Sequence, residues 1–238
     1  MDAYEEQVKR ELVKWKRKIT KRPTLTDNFA KSAQDKINSL IPEKIHEAIT
    51  IAIKNMVQAV LYGSVIGKPV VKDLSLEERD KMLDERKLFY RSTAAVEGGI
   101  TGMGGVVGGL ADFPLLLGLK LKFLYDAAAI YGFDVSNLKE RIYLLHIFQL
   151  AFSGNIYRIK IFETIENWND YRESIPDDIH AFHWREFQQA YRDHLDIAKL
   201  AQMLPVVGSV VGIVVNYRML NRLAETSKNA YRLRWLNG

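Results

Sequence analysis

The sequence contains no cysteine. That excludes disulfides, a thiolate nucleophile and any Cys-ligated zinc or iron–sulfur centre. It also has no Gly-x-Ser-x-Gly elbow, no His-Glu-x-x-His pair and no Gly-Lys-Ser or Gly-Lys-Thr closing a phosphate loop. The common hydrolase, zinc-protease and P-loop chemistries therefore lack their sequence signatures. The opening MDAYEEQVKR carries no apolar h-region, so no cleaved secretory signal is expected. An uninterrupted apolar run of the ~20 residues needed to span a bilayer is missing too. Asp112 and Pro114 split the run from Gly98 to Leu119, and the run from Leu204 to Val215 is only a dozen residues long. Both read as buried core helices.

What is present is an ordinary globular balance: 238 residues, 47% hydrophobic and 26% charged, enough for one compact core. The formal net charge of +5 is unevenly spread. Residues 1–22 hold eight basic and four acidic side chains, residues 216–238 hold five and one, and the stretch between is mildly acidic. Such a layout steers the basic ends toward anionic lipid or nucleic acid. The basic–aromatic segment Tyr231-Arg-Leu-Arg-Trp235 matches no RNA-recognition module, and a nucleic-acid partner is not expected.

The apolar periodicity is helical nearly throughout. Tyr4, Val8, Leu12, Trp15 and Ile19 line one face of an opening amphipathic helix whose other faces carry Lys9, Arg10, Lys14, Lys16, Arg17 and Lys18. Pro23 ends it. Phe29, Ala33, Ile37 and Leu40 predict a second helix; Pro42 opens a third through Ile45, Ile49, Ala52, Met56 and Val60. Residues 67–74 read as a loop, and Ser75-Leu-Glu-Glu78 as a capping box. Asp112 is expected to cap a helix with Pro114 in its first turn and its end near Tyr131-Gly132. Ser136 is expected to cap the next, with Leu138, Ile142, Leu145 and Phe148 inward. Residues 154–176 fit a short helix or a long connection. Residues 177–204 read as helix, and Pro205 as the start of a last long helix through Trp235. The reading is all-α: a single bundle of about seven to nine helices, with a basic helix at 1–22 leading into a helical domain at 23–238.

Seven of the twelve residues from Gly98 to Gly109 are glycine, each costing ~1 kcal/mol in a helix relative to alanine. Close packing has to compensate. Gly98, Gly102, Gly105 and Gly109 share one helical face; Gly208, Gly212 and Asn216 share another. Faces without Cβ atoms let backbones approach, so two glycine-rich helices are expected to pack closely at the centre. A dinucleotide fingerprint is excluded, because Val107 stands where it needs its third glycine. Glu97 and Asp112 bracket the run, and only a chain that folds back could make them an acid–base pair. His180 and His183 share a helical face, but His194 lies about three turns further on, too far to complete a metal site with them. No metal or cofactor is expected.

The glycine-rich stretch Ala94-Ala-Val-Glu-Gly-Gly-Ile-Thr-Gly-Met-Gly-Gly105, with Ala111-Asp-Phe-Pro-Leu115, Ala127-Ala-Ala-Ile-Tyr-Gly-Phe-Asp134 and Leu204-Pro-Val-Val-Gly-Ser-Val-Val-Gly-Ile-Val-Val-Asn-Tyr217, resembles the EcsC family. The resemblance implies a bacterial protein of a family named for a gene neighbouring an ABC transporter, without established catalytic activity. It offers no catalytic residues to carry over. Its matching positions, among them Gly98, Gly102, Gly105, Asp112, Pro114, Gly132, Pro205, Gly208, Gly212 and Asn216, read as architectural. The basic opening helix lies outside the resembling blocks. Its pattern predicts a non-enzymatic protein at the inner face of the cell membrane, touching anionic lipid or a membrane-protein partner through Lys14, Trp15, Lys16, Arg17 and Lys18. Three alternatives stay open. They are a soluble protein holding lipid between its glycine helices, an enzyme working around Glu97 and Asp112 or the His180/His183 pair, and a pore-former.

Overall fold

The computed structural model describes residues 2–21, 43–62, 69–101, 105–177, 181–196, 200 and 209–237, and of residues 93–101, 105–112, 155–156, 184 and 209–214 the backbone alone. Among the described residues there are nine helices and no strand, so the fold is all-α as the periodicity implies. They are α1 (Ala3–Thr20), α2 (Glu43–Tyr62), α3 (Leu76–Thr101), α4 (Gly105–Tyr131), α5 (Leu138–Phe152), α6 (Asn155–Glu166), α7 (Trp168–Glu173), α8 (Trp184–His194) and α9 (Ser209–Asn237). The second helix expected at 29–40 falls outside the described residues.

The core centres on α5, in which every residue from Ile142 to Phe152 is buried. A helix enclosed on all sides shows no amphipathic stripe, which is why Leu138, Ile142, Leu145 and Phe148 understate its burial. Around it lie α2, α4, α6 and α9. The most extensive pairing is α9 along α3, and α3 also packs on α4. The α1 helix buries Val8, Leu12, Trp15 and Ile19, the face its spacing marks. Trp15 meets Phe162 of α6 edge-on, with ring centres 5.3 Å apart. Burying four such side chains contributes ~1.5–3 kcal/mol each.

Local signals set most helix ends. The Ser75 capping box forms: the Ser75 amide donates to Glu78 Oε2 at 2.8 Å, and the Glu78 amide to Ser75 Oγ at 3.3 Å. At the end of α4, Gly132 takes φ +92°. Phe133 N–H reaches Ala128 O at 2.9 Å and Gly132 N–H reaches Ala129 O at 3.2 Å, a glycine stop that satisfies the last carbonyls.

Three expectations need correction. Asp112 is not an N-cap, because α4 already begins at Gly105 and runs through Pro114. Pro114 is exposed while Phe113, Leu116 and Leu117 are buried, so packing of the inner face carries the helix across the bond the ring removes. The α5 cap is Asn137, which accepts from Lys139 N–H at 2.8 Å, rather than Ser136, whose own N–H donates to Asp134. The segment from 177 is not one helix to 204. The chain becomes helical at Trp184 and leaves the helix after His194. There Leu195 bridges Ser153, and Asp196 N–H donates to Phe152 O at 3.1 Å, so the ends of α5 and α8 satisfy each other. Residues 155–166 and 168–173, open in the sequence reading, are helices α6 and α7.

Candidate functional site

Four helices meet at Arg232 of α9. Its Nε donates to Asp80 Oδ2 of α3 at 2.7 Å, one terminal nitrogen to Glu11 of α1 at 2.8 Å, and the other to Tyr4 Oη of α1 at 3.1 Å. Tyr4 donates to Asp80 Oδ2 at 2.7 Å, and Tyr131 of α4 donates to Oδ1. Asp80 and Arg232 are both buried. Burial and the neighbouring Asp80 carboxylate push the Tyr4 phenol up to about 12, so it remains a donor at neutral pH. Burial opposes the charge of Arg232, but Asp80 outweighs it and raises the guanidinium further. Two residues on, Arg234 forms a fork with both oxygens of Glu140, at 2.5 and 2.6 Å, and lies over the Phe133 ring at 3.8 Å. Sequence reading placed both arginines on a basic end steered toward anionic lipid, whereas both are interior and paired.

The basic character that stays accessible lies beside this junction. A cleft of about 440 Å³ opens between α1, α6 and α9, lined by Trp15, Lys18, Arg158, Arg218, Arg222 and Glu225 among others. A second, of about 370 Å³, shares Trp15, Lys18 and Glu225 and adds Glu11, Lys14, Lys228 and Arg232. Together they bring seven basic side chains and two carboxylates to one seam, although Arg232 is buried and paired, Lys18 pairs with Glu225 and Lys228 with Asp84. Burial lowers the Arg222 guanidinium, and the like charge of Arg158 lowers it further. The carboxylates of Glu225 and Asp196 act in the opposite sense.

Among the residues marked for membrane contact, Lys14, Lys16, Arg17 and Lys18 are exposed on α1, and Trp15 is buried with its edge on both clefts. Lys16 pairs with Glu166 at 2.5 Å and Lys18 with Glu225 at 2.8 Å. These are surface pairs of the kind worth little in water. The sequence reading did not single out Arg218 and Arg222 as a pair, although their i, i+4 spacing on the last helix is a signal that would have found them. Arg158 had no such signal, since its segment had no assigned conformation.

Of the glycine positions, Gly98 lies on α3, Gly105 and Gly109 on α4, and Gly212 on α9; Gly102 and Gly208 fall outside the described residues, as do the side chains of Glu97 and Asp112. Asn216 continues the second glycine face and is buried, its Oδ1 accepting from Lys120 Nζ of α4 at 3.2 Å. Lys120 is fully enclosed, and burial pushes its ammonium down to about 8. His183 precedes α8 and is exposed; His180 falls outside the described residues. Among the described residues no three metal-ligating side chains cluster, and no helix is long and apolar enough to cross a membrane.

Comparison with known proteins adds identity to this geometry. The profile of the EcsC protein family matches residues 6–236, starting within α1. The chain is 42% identical to Protein EcsC of Bacillus subtilis (strain 168) over 228 residues, 95% of this chain and 94% of that one. It is also 35% identical to the uncharacterised protein YdbA of the same organism over 145 residues, 60% of this chain and 53% of YdbA. No solved structure matches.

Proposed function

The chain belongs to the EcsC protein family, and from that premise we propose that it is a non-enzymatic protein docking peripherally on the anionic inner surface of the cell membrane. The observation that carries this reading is the paired basic clefts on the α1–α6–α9 seam, where Arg158, Arg218, Arg222 and Lys18 converge with a single carboxylate, Glu225, in the larger cleft. Lipid phosphates attract these groups, at ~1 kcal/mol for each basic residue near the surface. Attachment is electrostatic because the apolar side of α1 is turned inward. It therefore weakens with salt.

Co-sedimentation with vesicles tests this. The protein should pellet with phosphatidylserine-containing vesicles at low salt, and not with neutral phosphatidylcholine vesicles or at high salt. Replacing Lys14, Lys16, Arg17 and Lys18 together by Glu, or Arg218 and Arg222 by Glu, should weaken binding at least ~100-fold while the circular dichroism spectrum is kept. Unaltered binding by both variants, or equal binding to neutral vesicles, would overturn the proposal.

A further inference from the structure

On the other flank of α5, a cavity of about 360 Å³ lies between α5, α6, α7 and α8. It shares no lining residue with the basic clefts. Two of its lining side chains are buried and incompletely answered: the Tyr191 hydroxyl has no hydrogen-bond partner, and His146, whose ring nitrogens make no hydrogen bond of ordinary geometry, has only the Gln149 side chain beside it. His146 is 7% exposed and Tyr191 1%. Buried polar groups are nearly always hydrogen-bonded, so two orphans facing one cavity call for an explanation.

Gln149, one turn from His146, shows that the elements are well fixed. Its amide nitrogen donates to Tyr191 O at 3.4 Å and to His194 Nδ1 at 3.1 Å, which places the His194 proton on Nε2. The His194 ring is stacked on Tyr157 at 4.4 Å. The walls are aromatic. Tyr171 and Phe187 stand edge-on to the His146 ring at 5.4 and 5.7 Å, and Phe182 packs on Phe187 at 5.5 Å. Burial pushes His146 down to about 4, so at neutral pH it offers one donor and one acceptor and no charge. At the rim, Lys160 and Glu186 offset each other. The lining thus favours flat apolar rings and neutral hydrogen-bonding groups, and offers no net charge to an ion.

We infer that this cavity is a binding site for a small neutral aromatic molecule bearing a hydroxyl or carbonyl group, whose oxygen bonds to His146 and Tyr191 while its ring packs among Tyr171, Phe182 and Phe187. A site built to bond a hydroxyl discriminates strongly against the same ring without it. The full-length protein can be titrated with three fluorescent probes: 2-naphthol, naphthalene and 2-naphthoate. Naphthol should bind saturably at one site per chain, with naphthalene and naphthoate each at least ~10-fold weaker. Tyr191→Phe should lose at least ~10-fold in naphthol affinity, with an unchanged or raised melting temperature in the absence of probe, since it deletes only an unbonded hydroxyl. His146→Leu should show the same loss of affinity; if that variant fails to fold, Tyr191→Phe carries the test alone. No saturable naphthol binding, equal affinity for naphthol and naphthalene, or undiminished binding by Tyr191→Phe would each overturn the inference and leave water as the cavity's occupant.

Discussion

The two flanks of α5 handle buried polarity in opposite ways. At the junction of α1, α3, α4 and α9, charged groups are taken out of water and answered: Asp80 receives Arg232, Tyr4 and Tyr131, and Arg232 has a partner for Nε and for each terminal nitrogen. Around the α5–α8 cavity the buried groups are neutral, and His146 and Tyr191 make no hydrogen bond of ordinary geometry. Burying an ion is too costly to tolerate a missing partner, so charge enforces a complete and therefore unique arrangement. A neutral hydroxyl or imidazole costs less to leave unpaired. An orphan can persist where something outside the chain completes it. The first flank is built to stay as it is, and the second is built to receive.

Breaking the first flank should give the largest effect. Asp80→Ala strands the buried Arg232 and should destabilise the fold by ~3–5 kcal/mol, read by urea denaturation. A loss no larger than that of a surface Asp→Ala change would show that the network is not what joins these helices. Arg234→Lys should cost less, ~1–3 kcal/mol, because an ammonium cannot reproduce the fork on Glu140 or its stack on Phe133. A melting temperature equal to wild type would show the pair to be dispensable.

The second flank is sharpened by pH. The folded-state pKa of His146 lies below its ordinary value of about 6.5, at about 4, so between these values the unfolded chain binds the extra proton. Above about pH 6.5 the imidazole is neutral in both states and this group adds no pH dependence; below it the fold loses ~1.4 kcal/mol per unit down to about pH 4. His146→Leu lacks this loss, so in melting curves wild type should lose stability relative to the variant as pH drops through that window. A constant difference would mean that His146 titrates alike in the folded and the unfolded chain. Tyr191→Phe should change the stability of the empty protein least, within ~0.5 kcal/mol.

The sequence made some of this legible and hid the rest for physical reasons. The α1 face, the Ser75 capping box and the Gly132 stop were readable because each depends on residues within a turn or two of one another. The all-α class followed from the same local periodicity. Arg232 and Arg234 read as solvated charge because their partners, Asp80 and Glu140, lie 152 and 94 residues away. No local window contains them. His146 and Gln149 passed unremarked because α5 is apolar on every side and offers no stripe against which a polar residue stands out. The extension of α4 upstream of Asp112 was hidden by glycine and proline, whose propensities argue against helix where packing evidently prevails.

The ties from Arg232 to Tyr4 and Glu11 also bear on synthesis. The partners of the Arg232–Glu11 bond are 221 residues apart. On a ribosome adding ~5–20 residues per second, α1 emerges roughly 10–45 s before the arginine that anchors it. During that interval the Val8–Leu12–Trp15–Ile19 face has no α9 to cover it, and its basic flanks are already charged. The nascent chain thus presents an amphipathic helix whose apolar face the finished protein turns inward.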